Sequence, residues 1–470
     1  MNQFRCIFNG CRRPGKGRDK LIQHFKTESE GECPSQAVVM KGGRVFIVDC
    51  YNKEKDKIVS PRKILRMLEI IEETVEFGDQ RPSRDQLGVL TTLGRDKWAE
   101  VRNYLTSYDQ RNEKVLETIE ESVFVFCLDD SSPVTYTEMS RDMAYGNFAN
   151  RWYDKSYSTI SSKNGGIGTN CDHAPTDAMV MAVFCEFVIN SMKKVAEKHL
   201  NTEGVHLGLH QKRPEELTWH LDERLKGEIA DAKKHGKALQ GKVEIVLPTF
   251  KAFGKKLLKS LEIHPDFAVQ ISLQLTYMQI HGRPAPTYET ATTRKFYHGR
   301  TETCRTCTPE AVRFCEEMLR IFRGNPTEQE LSEMKSLLLK AQQKFLHLMQ
   351  ECCNARGCDR HLYGIQLIAE EENSPVPKLF SHPSFEKSGG GGNFLLSTSC
   401  LGYGVIQGVV APMTTMGYGT FYRINDERIV FSVTSYTDCD ETNSQQFADV
   451  FMLNLVRVAK VGKSLTGSKI

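Results

Sequence analysis

Gly43-Arg-Val-Phe-Ile-Val-Asp49, with the helical segment that follows it from Ser60-Pro61, sets the fold class of this 470-residue chain. The first is a short apolar run rich in β-branched residues and bounded by turn formers, which predicts a buried strand. In the second, Ser60 stands at an N-cap position with proline in the first turn. Ile64, Leu68, Ile71 and Val75 then fall on one helical face. A strand followed by an amphipathic helix points to mixed α/β architecture.

The same alternation continues on either side. Val123–Cys127 predicts a second strand. Thr308-Pro309-Glu310 opens a helix, and Thr327 with Glu330 forms a capping box ahead of Leu331, Met334, Leu338, Ala341, Phe345 and Leu348. That stripe reads as core packing. Thr420–Ile424 and Arg428–Tyr436 flank Asn425-Asp426-Glu427 as a hairpin, and Phe447–Val458 predicts a closing helix. No internal repeat is visible, and Gly389–Gly392 reads as a flexible connection. The polar region 211–242, itself helix-prone from Pro214, predicts a boundary between a first domain, 1–220, and a second, 221–470.

Composition narrows the function classes. Hydrophobic residues make up 40% and charged residues 26%, enough apolar material for a large core. Lys and Arg number 62 against 59 Asp and Glu, so no strong field favours nucleic acid or a membrane surface. The longest apolar stretch, Ala178–Ile189, is interrupted by Glu186 and falls short of the ~20 residues a membrane span needs. Fifteen cysteines without a signal peptide predict free thiols in a reducing compartment. Cys6, Cys11 and His24 imitate zinc spacing, but Cys33 lies too far on to serve as the fourth ligand, so no metal is expected.

Among 13 histidines, His173 stands apart. It lies in Gly168-Thr-Asn-Cys-Asp-His-Ala-Pro-Thr-Asp177, a punctuated loop leading into an apolar helix, where a neutral imidazole can take a proton near pH 7. A histidine simply satisfied by hydrogen bonds is the alternative from the residues alone. No Gly-x-Ser-x-Gly elbow and no phosphate loop occurs, so a covalent serine mechanism has no support.

Five separated motifs occur in order: the His173 segment, Tyr288-Glu-Thr-Ala-Thr-Thr-Arg294, Gly299-Arg-Thr-Glu-Thr303, Asp359-Arg-His-Leu362 and Ser397-Thr-Ser399. Together they resemble the carnitine/choline acyltransferase family. Cys171-Asp-His-Ala-Pro-x-Asp-Ala-Met179, Lys387-Ser-Gly-Gly-Gly-Gly-Asn-Phe394 and Gln407-Gly-Val-Val-x-Pro412 are most like its peroxisomal medium-chain members. The resemblance implies two α/β domains of the chloramphenicol acetyltransferase type, with mixed sheets, flanking helices and an active site at their interface. It implies reversible acyl transfer between coenzyme A and the carnitine hydroxyl, both as substrates, with no permanently bound cofactor.

The resemblance also assigns residues. His173 matches the general base and Ser399 the oxyanion donor; from the residues alone Asp177 reads rather as a helix N-terminal carboxylate. Tyr288, Thr290, Thr301 and Arg360 match the carnitine contacts, where a forked guanidinium suits a carboxylate. A surface ion pair of Arg360 with Asp359 or a nearby glutamate is the alternative. Lys255, Lys259 and Asp266 match the CoA contacts, the two lysines sharing a face if Phe253-Gly-Lys-Lys-Leu-Leu-Lys259 is helical. Gly402, near the serine motif, would leave an acyl pocket open; a glycine that simply permits a turn or bulge is the alternative. Choline as acceptor is disfavoured, because it has no carboxylate for Thr301 and Arg360. A non-catalytic CoA- or partner-binding form is the other-class alternative.

Relative to the family a block upstream of Arg12-Arg-Pro-Gly15 is missing, so a short isoform or incomplete gene model with a partly exposed core is expected. Ser468-Lys469-Ile470 resembles the peroxisomal Ser-Lys-Leu signal. A monomer without nucleic-acid partners is expected.

Overall fold

Backbone pairing converts the 43–49 run into one arm of a tight hairpin. The computed structural model describes residues 2–52, 57–78, 85–199, 213–402, 404 and 406–463. Strand β1 (Gln36–Lys41) and β2 (Arg44–Asp49) pair antiparallel, Lys41 opposite Arg44. Gly42 and Gly43 connect them with φ of 60° and 79°, the left-handed pair that a two-residue hairpin turn requires. A side chain at Gly43 would also collide with Gln86.

The chain forms two compact units, Met1–Gly241 and Lys242–Ile470. The first holds β3 (Val125–Leu128), β4 (Tyr157–Ser161), β5 (Ile167–Cys171) and β6 (Glu215–Leu217) beside the first hairpin, in the order β6-β2-β1-β3-β4-β5. Its helices include α1 (Pro61–Phe77), α2 (Arg95–Tyr108), α3 (Gln110–Glu121), α4 (Ala178–His199) and α5 (Glu223–Gln240). Val38, Met40, Val125, Cys127 and Ile160 pack one sheet face against Trp98, Leu105, Leu116 and Ile119 of α2 and α3. Val39, Phe46 and Val48 meet Met67 and Ile71 of α1 on the other. Pro61 opens α1 as predicted, but the Ser60 hydroxyl makes no capping bond.

The division between units falls after Gly241, not at 220/221. Polar composition suggested the earlier boundary, yet Leu225, Ile229 and Ala232 of α5 are buried in the first core. A charged outer face conceals an apolar stripe there.

The second unit holds β7 (Val243–Val246), β8 (Thr249–Phe250), β9 (Thr287–Thr292), β10 (Thr301–Arg305), β11 (Leu396–Cys400), β12 (Tyr418–Ile424), β13 (Ile429–Phe431) and β14 (Val433–Tyr436). Their main path is β7-β14-β12-β11-β9-β10, with β8 and β13 paired at its side. The helices are α6 (Lys255–Ser260), α7 (Pro265–His281), α8 (Pro309–Ile321), α9 (Glu328–Cys353), α10 (Asp359–Glu371) and α11 (Ser444–Lys463). Helix α7 is buried throughout Phe267–Met278, the core of this unit. The capping box forms: Glu330 N–H donates to Thr327 Oγ1 (3.2 Å) and Thr327 N–H to Glu330 Oε2 (2.9 Å). Such a cap contributes ~1 kcal/mol.

Read from β6 and from β7, both sheets pair antiparallel, antiparallel, parallel, parallel, antiparallel. The two units thus share a pairing scheme that no sequence repeat discloses. Gly389–Gly392 is no loose connection. Gly389, Gly391 and Gly392 take φ of 94°, 67° and 85°, and a Cβ on Gly390 would enter the Phe385 ring. Ser468-Lys469-Ile470 lies outside the described residues.

Candidate active site

His173 sits in the turn between β5, the edge strand of the first sheet, and α4. Its side chain is 71% exposed. Nδ1 lies 2.9 Å from the Thr176 carbonyl oxygen. A carbonyl can only accept, so Nδ1 carries the proton and the neutral ring keeps its lone pair on Nε2. The buried Asp177 carboxylate stands 3.8 Å from the same Nδ1, placed to stabilise an imidazolium. Strand, turn and helix start thus fix both the tautomer and the orientation of an exposed imidazole.

In the second unit, register brings three motifs together. Tyr288 of β9 pairs with Ser397 of β11 in parallel and with Arg305 of β10 antiparallel. Thr292 faces Thr301 across the hairpin. Side chains alternate along a strand, so Tyr288, Thr290, Thr301, Ser397 and Ser399 share one sheet face. Thr290 Oγ1 donates to Tyr288 OH at 3.2 Å. Ser399 is half-buried, and its hydroxyl makes no side-chain hydrogen bond among the described residues.

Arg360 begins α10 and reaches the same edge. Its Nε donates to the Thr301 carbonyl (3.2 Å) and Nη2 lies 3.5 Å from Thr301 Oγ1. The alternative partner, Asp359, is taken: Arg305 binds it through Nε and Nη2, both at 2.7 Å. No carboxylate pairs with the Arg360 guanidinium among the described residues. Thr301 and Arg360 therefore offer a hydroxyl and a cation side by side, an arrangement suited to a carboxylate.

Helix α6 places Lys255 and Lys259 one turn apart on a common face. The first backbone N–H groups of α6 are occupied, Lys255 N donating to Asn425 O (2.8 Å) and Lys256 N to Asp426 O (3.1 Å). Gly254 permits this approach, since its Cβ would fall 2.2 Å from Asn425 O. An anion here would be held by lysine side chains, not by the helix end. Lys255 Nζ already contacts Asp426 at 3.0 Å, and that hydrogen bond holds the Asp426 carboxyl below its ordinary range. Asp266, in the first turn of α7, accepts from Tyr422 OH at 2.5 Å. Gly402 lies exposed just past β11.

Glu289, Gln270, Thr398 and Tyr422 form a buried polar cluster beneath the Ser-Thr-Ser strand, which the motif reading passed over. Burial, then the nearby Asp266 charge, pushes the Glu289 carboxyl well above its ordinary range. The signal lay in the alternation. Thr287, Glu289 and Ala291 share the face opposite Tyr288 and Thr290, so an acid stands on the buried side. Among the described residues no cluster of three or more His, Cys, Asp or Glu side chains could hold a metal ion, and no helix is long and apolar enough to cross a membrane.

The chain is 43% identical over 454 residues to peroxisomal carnitine O-octanoyltransferase of Bos taurus, covering 95% of this chain and 71% of that protein. Against the Mus musculus protein of the same name the identity is 42% over 458 residues, covering 96% and 72%. Choline O-acetyltransferase of Sus scrofa is 28% identical over 470 residues, covering 95% and 68%. The family model described as choline/carnitine O-acyltransferase matches residues 1–452, and the chain belongs to that family.

Proposed function

We propose that this chain transfers a medium-chain, octanoyl-like acyl group reversibly between coenzyme A and the hydroxyl of L-carnitine, without a covalent enzyme intermediate. His173 Nε2 takes the hydroxyl proton as the carnitine oxygen attacks the thioester carbon. The C=O electrons move onto oxygen, and Ser399 Oγ donates to that oxyanion. Collapse breaks the C–S bond, and the CoA sulfur recovers the proton from the imidazolium. The reverse reaction retraces these steps. Tyr288, Thr290, Thr301 and Arg360 hold carnitine, and Lys255, Lys259 and Asp266 hold CoA, the lysines as point charges on phosphate.

The observation that carries this reading is the Arg360 guanidinium beside Thr301, free of Asp359, on a strand edge in register with Tyr288 and the Ser-Thr-Ser motif. It supports an acceptor with a carboxylate, as carnitine has and choline lacks. The relatives named peroxisomal carnitine O-octanoyltransferase support the acyl class and a peroxisomal location, and Ser468-Lys469-Ile470 serves as the import signal in this proposal. CoA release should be measured across acyl-CoA lengths with carnitine, with choline and with neither. Release from octanoyl-CoA that needs carnitine is expected; equal release with choline, or none with carnitine, would refute the assignment.

Two variants test the finer roles. Arg360→Asn is expected to raise the carnitine KM by ~10- to 100-fold, the worth of a charge-assisted hydrogen bond, with the CoA KM unchanged. Equal losses for both substrates would make Arg360 structural. Gly402→Met is expected to lower the octanoyl-to-acetyl ratio of kcat/KM, since each buried CH₂ contributes ~0.8 kcal/mol. An unaltered chain-length profile would put the pocket floor elsewhere.

A further inference from the structure

The backbone ladder between β9 and β11 stops at Glu289 opposite Thr398, one residue short of Ser399. The Glu289 side chain continues where the ladder ends. Its Oε1 accepts from the Cys400 N–H at 3.3 Å, and its Oε2 meets Thr398 Oγ1 in a very short contact. The carboxyl therefore grips the strand on both flanks of Ser399.

The protons available around this group bear on its state. Thr398 has one hydroxyl proton and two claimants, the Tyr288 carbonyl at 2.9 Å and Glu289 Oε2. The carbonyl can only accept. With Thr398 donating there, its lone pair faces Oε2 and a proton on Glu289 fills the contact; a charged Glu289 would instead draw the Thr398 proton and leave the carbonyl without it. Burial of Glu289 with no cation facing it favours the first arrangement. Tyr422 has one proton as well. It lies 2.5 Å from Asp266 Oδ1 and 3.3 Å from Glu289 Oε2, so the nearer carboxylate takes it. Gln270 Nε2 donates to Oε2 at 2.5 Å, which a hydroxyl-type oxygen still accepts. The titratable groups facing Glu289 are Asp266 on α7, Tyr422 on β12, Cys400 on β11 and Cys304 on β10. None is a cation.

We propose that Glu289 is a neutral carboxylic acid that donates its proton to Thr398 Oγ1 while accepting from Cys400 N–H, and so positions the Ser399 hydroxyl for the oxyanion. Glu289 acts through the strand and touches no substrate. Its effect on turnover rests on the acyl-transfer reading above; its protonation does not.

Difference infrared spectra of the full chain test the acid directly. The wild type should show a protonated-carboxyl stretch at neutral pH that Glu289→Gln removes. A wild type without that band overturns the proposal. In the carnitine–octanoyl-CoA assay Glu289→Gln, whose amide N–H replaces the acid O–H, should keep kcat within about tenfold of wild type. Glu289→Asp withdraws the carboxyl by one methylene and should lower kcat by ~10²-fold with both KM values unchanged. A Gln variant as impaired as the Asp variant overturns the positioning role. Should the position-289 variants not fold, Thr398→Val reads the same bond: loss of the acceptor should move the wild-type band upward, and an unmoved band counts against the proposal. A wild type that carries the band yet transfers nothing to carnitine refutes the acyl-transfer reading alone.

Discussion

Alanine at His173 is expected to lower turnover by ~10²–10⁴, the usual worth of a positioned general base, while the CoA dissociation constant stays unchanged. The structure separates a chemical loss from a folding loss here. The side chain is 71% exposed, so truncation opens no cavity, and the contacts it gives up include the hydrogen bond to the Thr176 carbonyl. The melting temperature of His173→Ala should therefore match that of the parent, and an inactive protein with an unchanged melting curve locates the defect in proton transfer. Turnover within tenfold of wild type would remove His173 as the base.

Ser399→Ala is expected to cost ~10²–10³ in kcat, or about 2.7–4 kcal/mol, because a donor aimed at a developing oxyanion acts chiefly in the transition state. Both KM values should move little, since the ground-state thioester oxygen makes weaker demands on a donor. The hydroxyl has no side-chain hydrogen-bond partner among the described residues, so its removal strands no protein group, and stability should change by less than about 0.5 kcal/mol. The CoA-release assay at saturating octanoyl-CoA and carnitine measures this. An unaltered kcat would assign the oxyanion to other donors.

These two residues differ in how openly the chain displays them. His173 lies in a loop with its own punctuation, and two groups that orient it are within four residues: Thr176 supplies the carbonyl, Asp177 the carboxylate. Ser399 lies in a tripeptide that alone says little. Its setting comes from Tyr288, over one hundred positions upstream, through the parallel pairing of β9 and β11. Family resemblance picked out both, but local chemistry alone could have argued only for the first.

Arg360 shows the same limit from another side. Next to Asp359 in sequence, it has an obvious local partner. In the structure Asp359 turns to Arg305, with two bonds at 2.7 Å, and Arg360 turns to Thr301. Adjacent residues at a helix start point about 100° apart, so neighbours along the chain do not face one another.

Helix starts, amphipathic faces and the strand at 44–49 were legible because they depend on patterns a few residues long: Thr327 caps through Glu330. The strand order of each sheet, the burial of α5 in the first core and the acid under Ser399 were not. Each comes from segments tens to hundreds of residues apart meeting in one core, where burial alters what a polar side chain can do. Glu289 is an ordinary acid in the sequence. Enclosed by Thr398, Gln270 and Tyr422, it loses the water that would keep it charged.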